Sequence, residues 1–293
     1  MEHSCIRMRS DRERGENIER ILPSGPALGM DSDSAITLAS FNVRCPGDEP
    51  PHDWESRVPR ICEVIRRTGM DLAGLQEAVD FQLERIVLNS GFSFIGVGRN
   101  DFRKSGEHCC ILYRTERFQV LESGTFGLSE NPEQPGLCSW NTICPRIATW
   151  GIFKDCRTGN KFLFYNTHLD NRSEPARING IRLILDHAGK RCRSGLPVIL
   201  TGDFNAPPGS PVWKTAAEKL RDSATVSETG HRGPQGSFHK YGQRMERSAI
   251  DYIFVSSGIR VMEHWTEDNR VSGAYSSDHD PVIIRLIPEF SMH

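Results

Sequence analysis

The sequence predicts an α/β fold in which two β-sheets pack together with helices outside. Segments rich in strand-forming residues recur along most of the chain. Only a few segments carry helical periodicity, and they are interspersed among the strands, a pattern that suggests packed sheets with outer helices. With 293 residues, 37% of them hydrophobic and 25% charged, the chain has ample apolar material for one large core.

Residues 1–34 are charged, punctuated by Gly, Pro and Ser, and lack sustained periodicity, so a flexible tail is expected there. From Ala35 the texture changes, and a single domain over residues 35–290 is the simplest account. AITLASFNV reads as the first strand. Trp54, Val58, Ile61 and Ile65 recur at helical spacing and predict a helix across about 57–68, with Pro59 in its first turn. DLAGLQ reads as a strand, FQLERIVL as a helix and FSFIGVG as another strand. HCCILY, FQVLE, RIATWGIF and KFLFYNTHL are further strands. Ile178, Ile181, Ile184, Leu185 and Ala188 form one helix face after the start signal Ser173–Pro175. PVILTGDF is a strand, PVWKTAAEKL a helix, and AIDYIFVS, IRVMEHW and PVIIRLI are strands. Residues 128–145 and 221–247 are polar and contain Gly and Pro, and are expected to be surface loops near a site.

Charge and cysteine content narrow the function classes. With 36 basic and 38 acidic residues the net charge is −2, without the basic surplus of a protein that grips long nucleic acid. The cysteine count of nine is odd and no CxxC pair occurs, which fits free thiols in a reducing compartment. The N-terminal stretch has no apolar signal core and no run reaches membrane-spanning length, so an intracellular, cytoplasmic protein is expected.

The chemistry lies at strand ends. In TGDFN the aspartate and asparagine stand two apart where the apolar run PVIL stops. Strand alternation would point Asp203 and Asn205 into one space, unless the pair simply caps the strand in an Asx-type turn. The pattern recurs at Asn42 of SFN, Glu77 of GLQE, His168 of NTHLD and Asp251 of AID, and Asp278 and His279 precede the last strand. Each alone has a structural reading as a turn, cap or satisfied histidine. Together they are costly to bury unless cations or donors compensate. Hard oxygen ligands without a Cys set or HExxH point to Mg²⁺ or Mn²⁺. Such an inventory suits phosphoester hydrolysis: a metal to polarise phosphate, a water nucleophile, and histidines to stabilise developing charge.

The words SFNVR, DLAGLQE, GEHCCILY, NTHLD, TGDFN, IDYIFVS and SDHDPV, in this order over residues 37–287, resemble the exonuclease–endonuclease–phosphatase superfamily, the fold of pancreatic deoxyribonuclease. Trp54, Arg57 and GLCSWNTICPRIATW look like a small branch related to deadenylase-like members. The resemblance implies a four-layer α/β/β/α sandwich of mostly antiparallel sheets with the site at one rim. It implies that Glu77 is the principal metal ligand, with Asn42 beside it and Asp278 near the metal. It further implies that Asp203 orients or deprotonates water, that Asn205 donates to the phosphoryl oxygen, that His168 pairs with Glu107, and that His279 is held by Asp251. Arg44 and Arg146 read either as phosphate contacts or as structural ion pairs. Trp140 and His239 lie on loops and either shape a substrate pocket or pack ordinarily.

The function expected is a Mg²⁺- or Mn²⁺-dependent phosphoesterase acting on a small phosphorylated compound or nucleotide. The alternative is a single-strand nuclease or deadenylase-like enzyme that uses Arg44, Arg99, Arg103 and Lys104 as backbone contacts. A catalytically inactive binding protein on the same fold is a third reading.

Overall fold

In the computed structural model the residues described are 34–192 and 195–289. The tail expected over residues 1–34, with its arginines, lies outside them apart from Ser34. In chain order the first elements are β1 (Ile36–Asn42), α1 (Trp54–Thr68), β2 (Leu72–Gln76), α2 (Asp80–Ser90), β3 (Ser93–Ile95) and β4 (Ile111–Tyr113). There follow β5 (Phe118–Gly127), β6 (Ile147–Asp155), β7 (Lys161–His168), α3 (Glu174–Arg191), β8 (Val198–Asp203) and α4 (Pro211–Ala217). Next are β9 (Arg221–Asp222), α5 (Ser223–Val226), β10 (His231–Arg232), β11 (Asp251–Val255) and β12 (Ile259–Thr266). The hairpin β13 (Arg270–Val271) and β14 (Ala274–Tyr275) leads to β15 (Val282–Pro288).

One sheet has the order β10-β12-β15-β1-β2-β4-β3 and the other β5-β6-β7-β8-β11-β9. Both are mixed: β1 runs parallel to β2, β7 to β8 and β10 to β12, while the other pairings are antiparallel. Strand alternation explains the layers. On β1, Ile36 and Leu38 face the second sheet and join Phe153, Phe162, Phe164 and Ile253 between the sheets. Ala39 and Phe41 face outward and pack under α1 and α2 against Val58, Ile61 and Ile86. On β8, Ile199 enters the central core while Leu200 packs under α3 and α4. Helix, sheet, sheet and helix are thereby stacked in four layers.

Helix α1 begins earlier than its apolar spacing suggests, because Asp53 accepts from the Ser56 amide at 3.2 Å and caps Trp54 as the first residue. Pro59 therefore falls beyond the first turn; it and Glu55, whose carbonyl it leaves without an amide donor, are both exposed, so water can serve that carbonyl. The segment FSFIGVG forms a ladder only over Ser93–Ile95, since Gly96 at φ +118 turns the chain out of it, and Gly98 keeps a single bridge to His108. Strand β5 runs on to Gly127 through a bulge between Val120 and Glu122. Residues 221–247 are not plain surface loop: they contain β9, α5 and β10, and bury Ser237 and His239. Among the described residues no helix is long and apolar enough to cross a membrane.

Candidate active site

Parallel pairing sets strand ends side by side. Asn42 stands opposite Gln76 where β1 and β2 finish, and Asp203 at the end of β8 stands between His168 on β7 and Asp251 on β11. The two sheets meet at this rim: Asn42 Nδ2 donates to Glu77 Oε1 at 2.9 Å and to Asp203 Oδ2 at 3.1 Å. Underneath, a buried polar bridge fixes the register of the sheets. Gln76 Nε2 donates to Asn166 Oδ1 at 2.7 Å, and Thr201 Oγ1 donates to the same oxygen at 3.0 Å.

Glu77 follows β2 in the left-handed region, at φ +67, a conformation costing a non-glycine residue roughly 1–2 kcal/mol. The turn brings its carboxylate back to Asn42 and to the Cys45 amide, which donates to Oε2 at 3.0 Å. Burial opposes ionisation of Glu77, and these two donors together with the His279 cation work against it, holding the carboxyl down at about 2.

Asp203 combines both readings of TGDFN. Its Oδ1 accepts from the Asn205 amide at 2.9 Å, an Asx turn, while Oδ2 faces the site. Asn205 adopts φ +49, which an asparagine tolerates, and its Nδ2 lies 3.0 Å from His168 Nε2. Burial and then the charge of Asp251 push the Asp203 carboxyl up to about 7.

His279 Nδ1 lies 2.8 Å from Asp251 Oδ2, which also accepts from Ser237 Oγ at 2.5 Å. Burial disfavours charge on His279, but Asp251 outweighs it and lifts the imidazole to about 10. His168 goes the other way: burial and the Arg146 cation push it well below the ordinary histidine value. The rim thus holds one cationic and one neutral imidazole at neutral pH.

These groups open on a cleft of about 330 Å³ lined by Arg44, Cys45, Glu77, Arg99, Glu107, Arg146, His168, Asp203, Asn205, Asp278 and His279, with Phe238 and Ile250 as apolar wall. A larger cavity of about 1030 Å³, lined by Arg182 and Ala188 on α3, Thr215 on α4 and Leu220 just after it, contains none of them.

One residue sits otherwise than the resemblance implies. Glu107 is engaged by Arg99, whose Nη1 and Nη2 donate to its two oxygens at 2.6 and 3.0 Å in a forked pair, and His168 Nδ1 has no hydrogen-bond partner. Trp140 is not part of the cleft lining, and its carbonyl accepts from Ser173 Oγ at 2.6 Å. His239 is buried against Tyr275, with ring centroids 4.5 Å apart. Arg44 bonds Asp48 through Nε at 3.1 Å and reaches within 3.7 Å of Glu77, whereas among the described residues Arg146 makes an ion pair with Asp170 alone, at 3.6 Å, and its buried Nε and Nη1 lack hydrogen-bond partners. Sequence reasoning missed Ser237, Cys45 and Phe238. Ser237 and Phe238 sit in an irregular segment without a motif, and Cys45 acts through its backbone amide.

The oxygen donors fit a hard cation. Glu77 and Asp278 offer carboxylates beside the Asn42 carboxamide, and Asp278 Oδ1 is buried without a hydrogen-bond partner. Asp203, Asp251 and His279 also place one ligand atom each within 4.8 Å of the others and could hold an ion, although the Asp251–His279 hydrogen bond already uses one such atom from each.

Over residues 39–279 the sequence matches the Endonuclease/Exonuclease/phosphatase family. The chain belongs to that family. A solved family structure from Bacteroides vulgatus superposes with TM-score 0.82 at 32% identity, covering 87% of this chain and 99% of that one. A mannosyl-6-phosphatase of Bacteroides thetaiotaomicron superposes with TM-score 0.81 at 32% identity, covering 86% and 99%. The human Nocturnin catalytic domain shares the fold, with TM-score 0.69 at 19% identity over 87% of this chain and 93% of that one. Nocturnin of Xenopus laevis is 24% identical over 266 residues, which is 82% of this chain and 65% of that protein, so the chain spans less than two thirds of that relative. Members of the Endonuclease/Exonuclease/phosphatase family hydrolyse phosphate esters, and the rim groups have the proton and charge properties such a reaction uses.

Proposed function

We propose that this chain is a Mg²⁺- or Mn²⁺-dependent phosphoesterase that hydrolyses the phosphate ester of a small metabolite or nucleotide, with residues 35–290 as its catalytic domain. The observation that carries this reading is the size and lining of the cleft. At about 330 Å³ it matches the small end of ligand pockets, which span roughly 300–1,000 Å³. The 32% likeness to a mannosyl-6-phosphatase supports the same substrate class. The basic cluster that would favour a polymer is largely neutralised: Arg99 is bound by Glu107, and Lys104 lies 2.9 Å from Asp80 and 3.5 Å from Glu84.

Each residue then has a task. Glu77 and Asp278 would hold the divalent ion, with Asn42 beside them fixing the Glu77 carboxylate, and the ion would polarise a phosphoryl oxygen. Asp203 accepts the proton of the attacking water. His279, kept cationic by Asp251, donates to the charge that develops on the phosphoryl group, joined by the Asn205 side-chain carboxamide. His168 is neutral and stands ready as a hydrogen-bonding partner on the same side. Arg146, with unpartnered N–H groups, and Arg44 steady the anionic substrate. Glu107 orients Arg99. A cytoplasmic, reducing location suits the free thiols, among them buried Cys109 and Cys110.

The test is steady-state hydrolysis of hexose phosphates, nucleoside monophosphates and single-stranded RNA and DNA oligonucleotides under Mg²⁺. Turnover of a monoester well above that of any oligonucleotide is expected. Rapid oligonucleotide cleavage without monoester turnover would replace the proposal with a nuclease, and no hydrolysis at all would leave a binding protein.

A further inference from the structure

Arg57 on α1 is fully buried, yet all five of its N–H donors end on backbone carbonyls rather than on carboxylates. Nε donates to His52 O at 2.7 Å. Nη1 donates to Val43 O at 2.6 Å and Ser276 O at 3.3 Å, and Nη2 to Arg44 O and Cys45 O, both at 3.1 Å. Three consecutive carbonyls after β1 are gripped by the same planar fork that reaches the segment before Asp278.

These two segments build opposite sides of the rim. In the first, the Cys45 amide donates to Glu77 Oε2 and the Arg44 amide to Asn42 Oδ1, each at 3.0 Å. In the second, Ser276 and Ser277 precede Asp278, and Ser277 Oγ donates to Asn42 O at 2.6 Å. Buried carbonyls and a buried cation are stable only in mutual register, because each would be costly alone. We propose that Arg57 is a positioning residue that sets the separation between Glu77 with Asn42 on one side and Asp278 on the other, and so tunes the divalent-ion site. The inference rests on the proposed function, since it assumes that these oxygens hold the ion. Lysine cannot substitute: its ammonium is a point with three donors and cannot span two loops as a guanidinium fork does.

The test compares Arg57→Lys with Arg117→Lys in the full chain. Arg117 is equally buried and donates to the carbonyls of Ser34 and Ala35 and to Asp71 and Asp155, but it lies at the opposite end of β1. Mn²⁺ affinity is measured by calorimetry, kcat and KM on the best phosphate monoester, and Tm for both. Both variants should lower Tm. Arg57→Lys alone should weaken Mn²⁺ binding by roughly 10–100-fold, as partners behind metal ligands do, and lower kcat more than KM. Arg57→Lys matching Arg117→Lys in Mn²⁺ affinity and kcat overturns the positioning role alone. A wild-type chain that binds no Mn²⁺ and hydrolyses no ester overturns the proposed function instead. Should Arg57→Lys fail to fold, Ser277→Ala removes the other bond joining the two segments and should weaken Mn²⁺ binding in the same direction; unchanged affinity there also rejects the idea.

Discussion

Asp251 and His279 form a buried ion pair behind the cleft, with Oδ2 2.8 Å from Nδ1. The geometry fixes the imidazole so that Nε2 points toward Asp203, 3.8 Å away. Burial disfavours the cation, and Asp251 and Asp203 overcome it and raise the pKa to about 10, from an ordinary value near 6.5. A histidine raised in this way stays charged through neutral pH and loses its proton only as pH climbs through the raised value. Activity that depends on the cation should therefore hold to about pH 9 and fall above it. Asp251→Asn should bring that fall down toward neutrality and reduce kcat by roughly 10²–10⁴-fold. A pH–kcat profile of the variant checks both, and an unshifted alkaline limb rejects the pairing as a catalytic device.

Asp203 has the opposite chemistry. Burial first, and Asp251 second, raise its carboxyl to about 7, so it is protonated below that value and a carboxylate above it. A group that accepts a proton from water must be ionised, so kcat/KM should rise with pH and level off near pH 7–8. Asp203→Asn should lower kcat by roughly 10²–10⁴-fold and flatten the acidic limb. Retention of that limb in the variant assigns the base elsewhere.

Gly74 marks a close approach of the two sheets under the site. A Cβ there would lie 2.5 Å from Asn166 Oδ1 and closer still to Thr201 Oγ1. Those two side chains and Gln76 carry the polar bridge between the sheets, so they cannot move apart without losing buried hydrogen bonds. Gly74→Ala should cost about 2–3 kcal/mol, the usual scale of overpacking, read from urea denaturation midpoints. A cost below about 0.5 kcal/mol would show that the bridge yields freely.

The same residues explain what a sequence can and cannot disclose here. Asn42, Glu77, His168 and Asp203 were legible because each interrupts an apolar strand at its last or next position, and Asp251 because it opens one; strand pairing then lines up such ends. The polar bridge was not legible: Gln76 and Asn166 are 90 residues apart and meet only once two sheets pack. Arg57 was legible only as a mark of the family branch and its role was not, since its partners are main-chain carbonyls and leave no side-chain pattern. The partner of Glu107 depended on the loop over residues 98–106. That loop folds back, with Phe102 at φ +52, and delivers Arg99 to the carboxylate.

Divalent-ion dependence gives the last prediction. Glu77 is held ionised at about 2, with the Cys45 amide, Asn42 and the His279 cation working against burial, while burial first pushes the Asp278 carboxyl above its ordinary value. An oxygen of Asp278 has no donor, so a cation placed there relieves a carboxylate that is otherwise costly to ionise. Chelation by EDTA should abolish hydrolysis, and added Mg²⁺ or Mn²⁺ should restore it. Because an ion bound only by the folded chain stabilises it, Mg²⁺ at 100 times its Kd should add about 2.7 kcal/mol to unfolding stability. Asp278→Asn removes the charge that gains most from the ion. It should lose much of that Mg²⁺-dependent gain while unfolding near the wild-type midpoint in EDTA. Equal stabilisation of wild type and Asp278→Asn by Mg²⁺ would place the ion away from this carboxylate, and the Asp203, Asp251 and His279 group would become the site to test next.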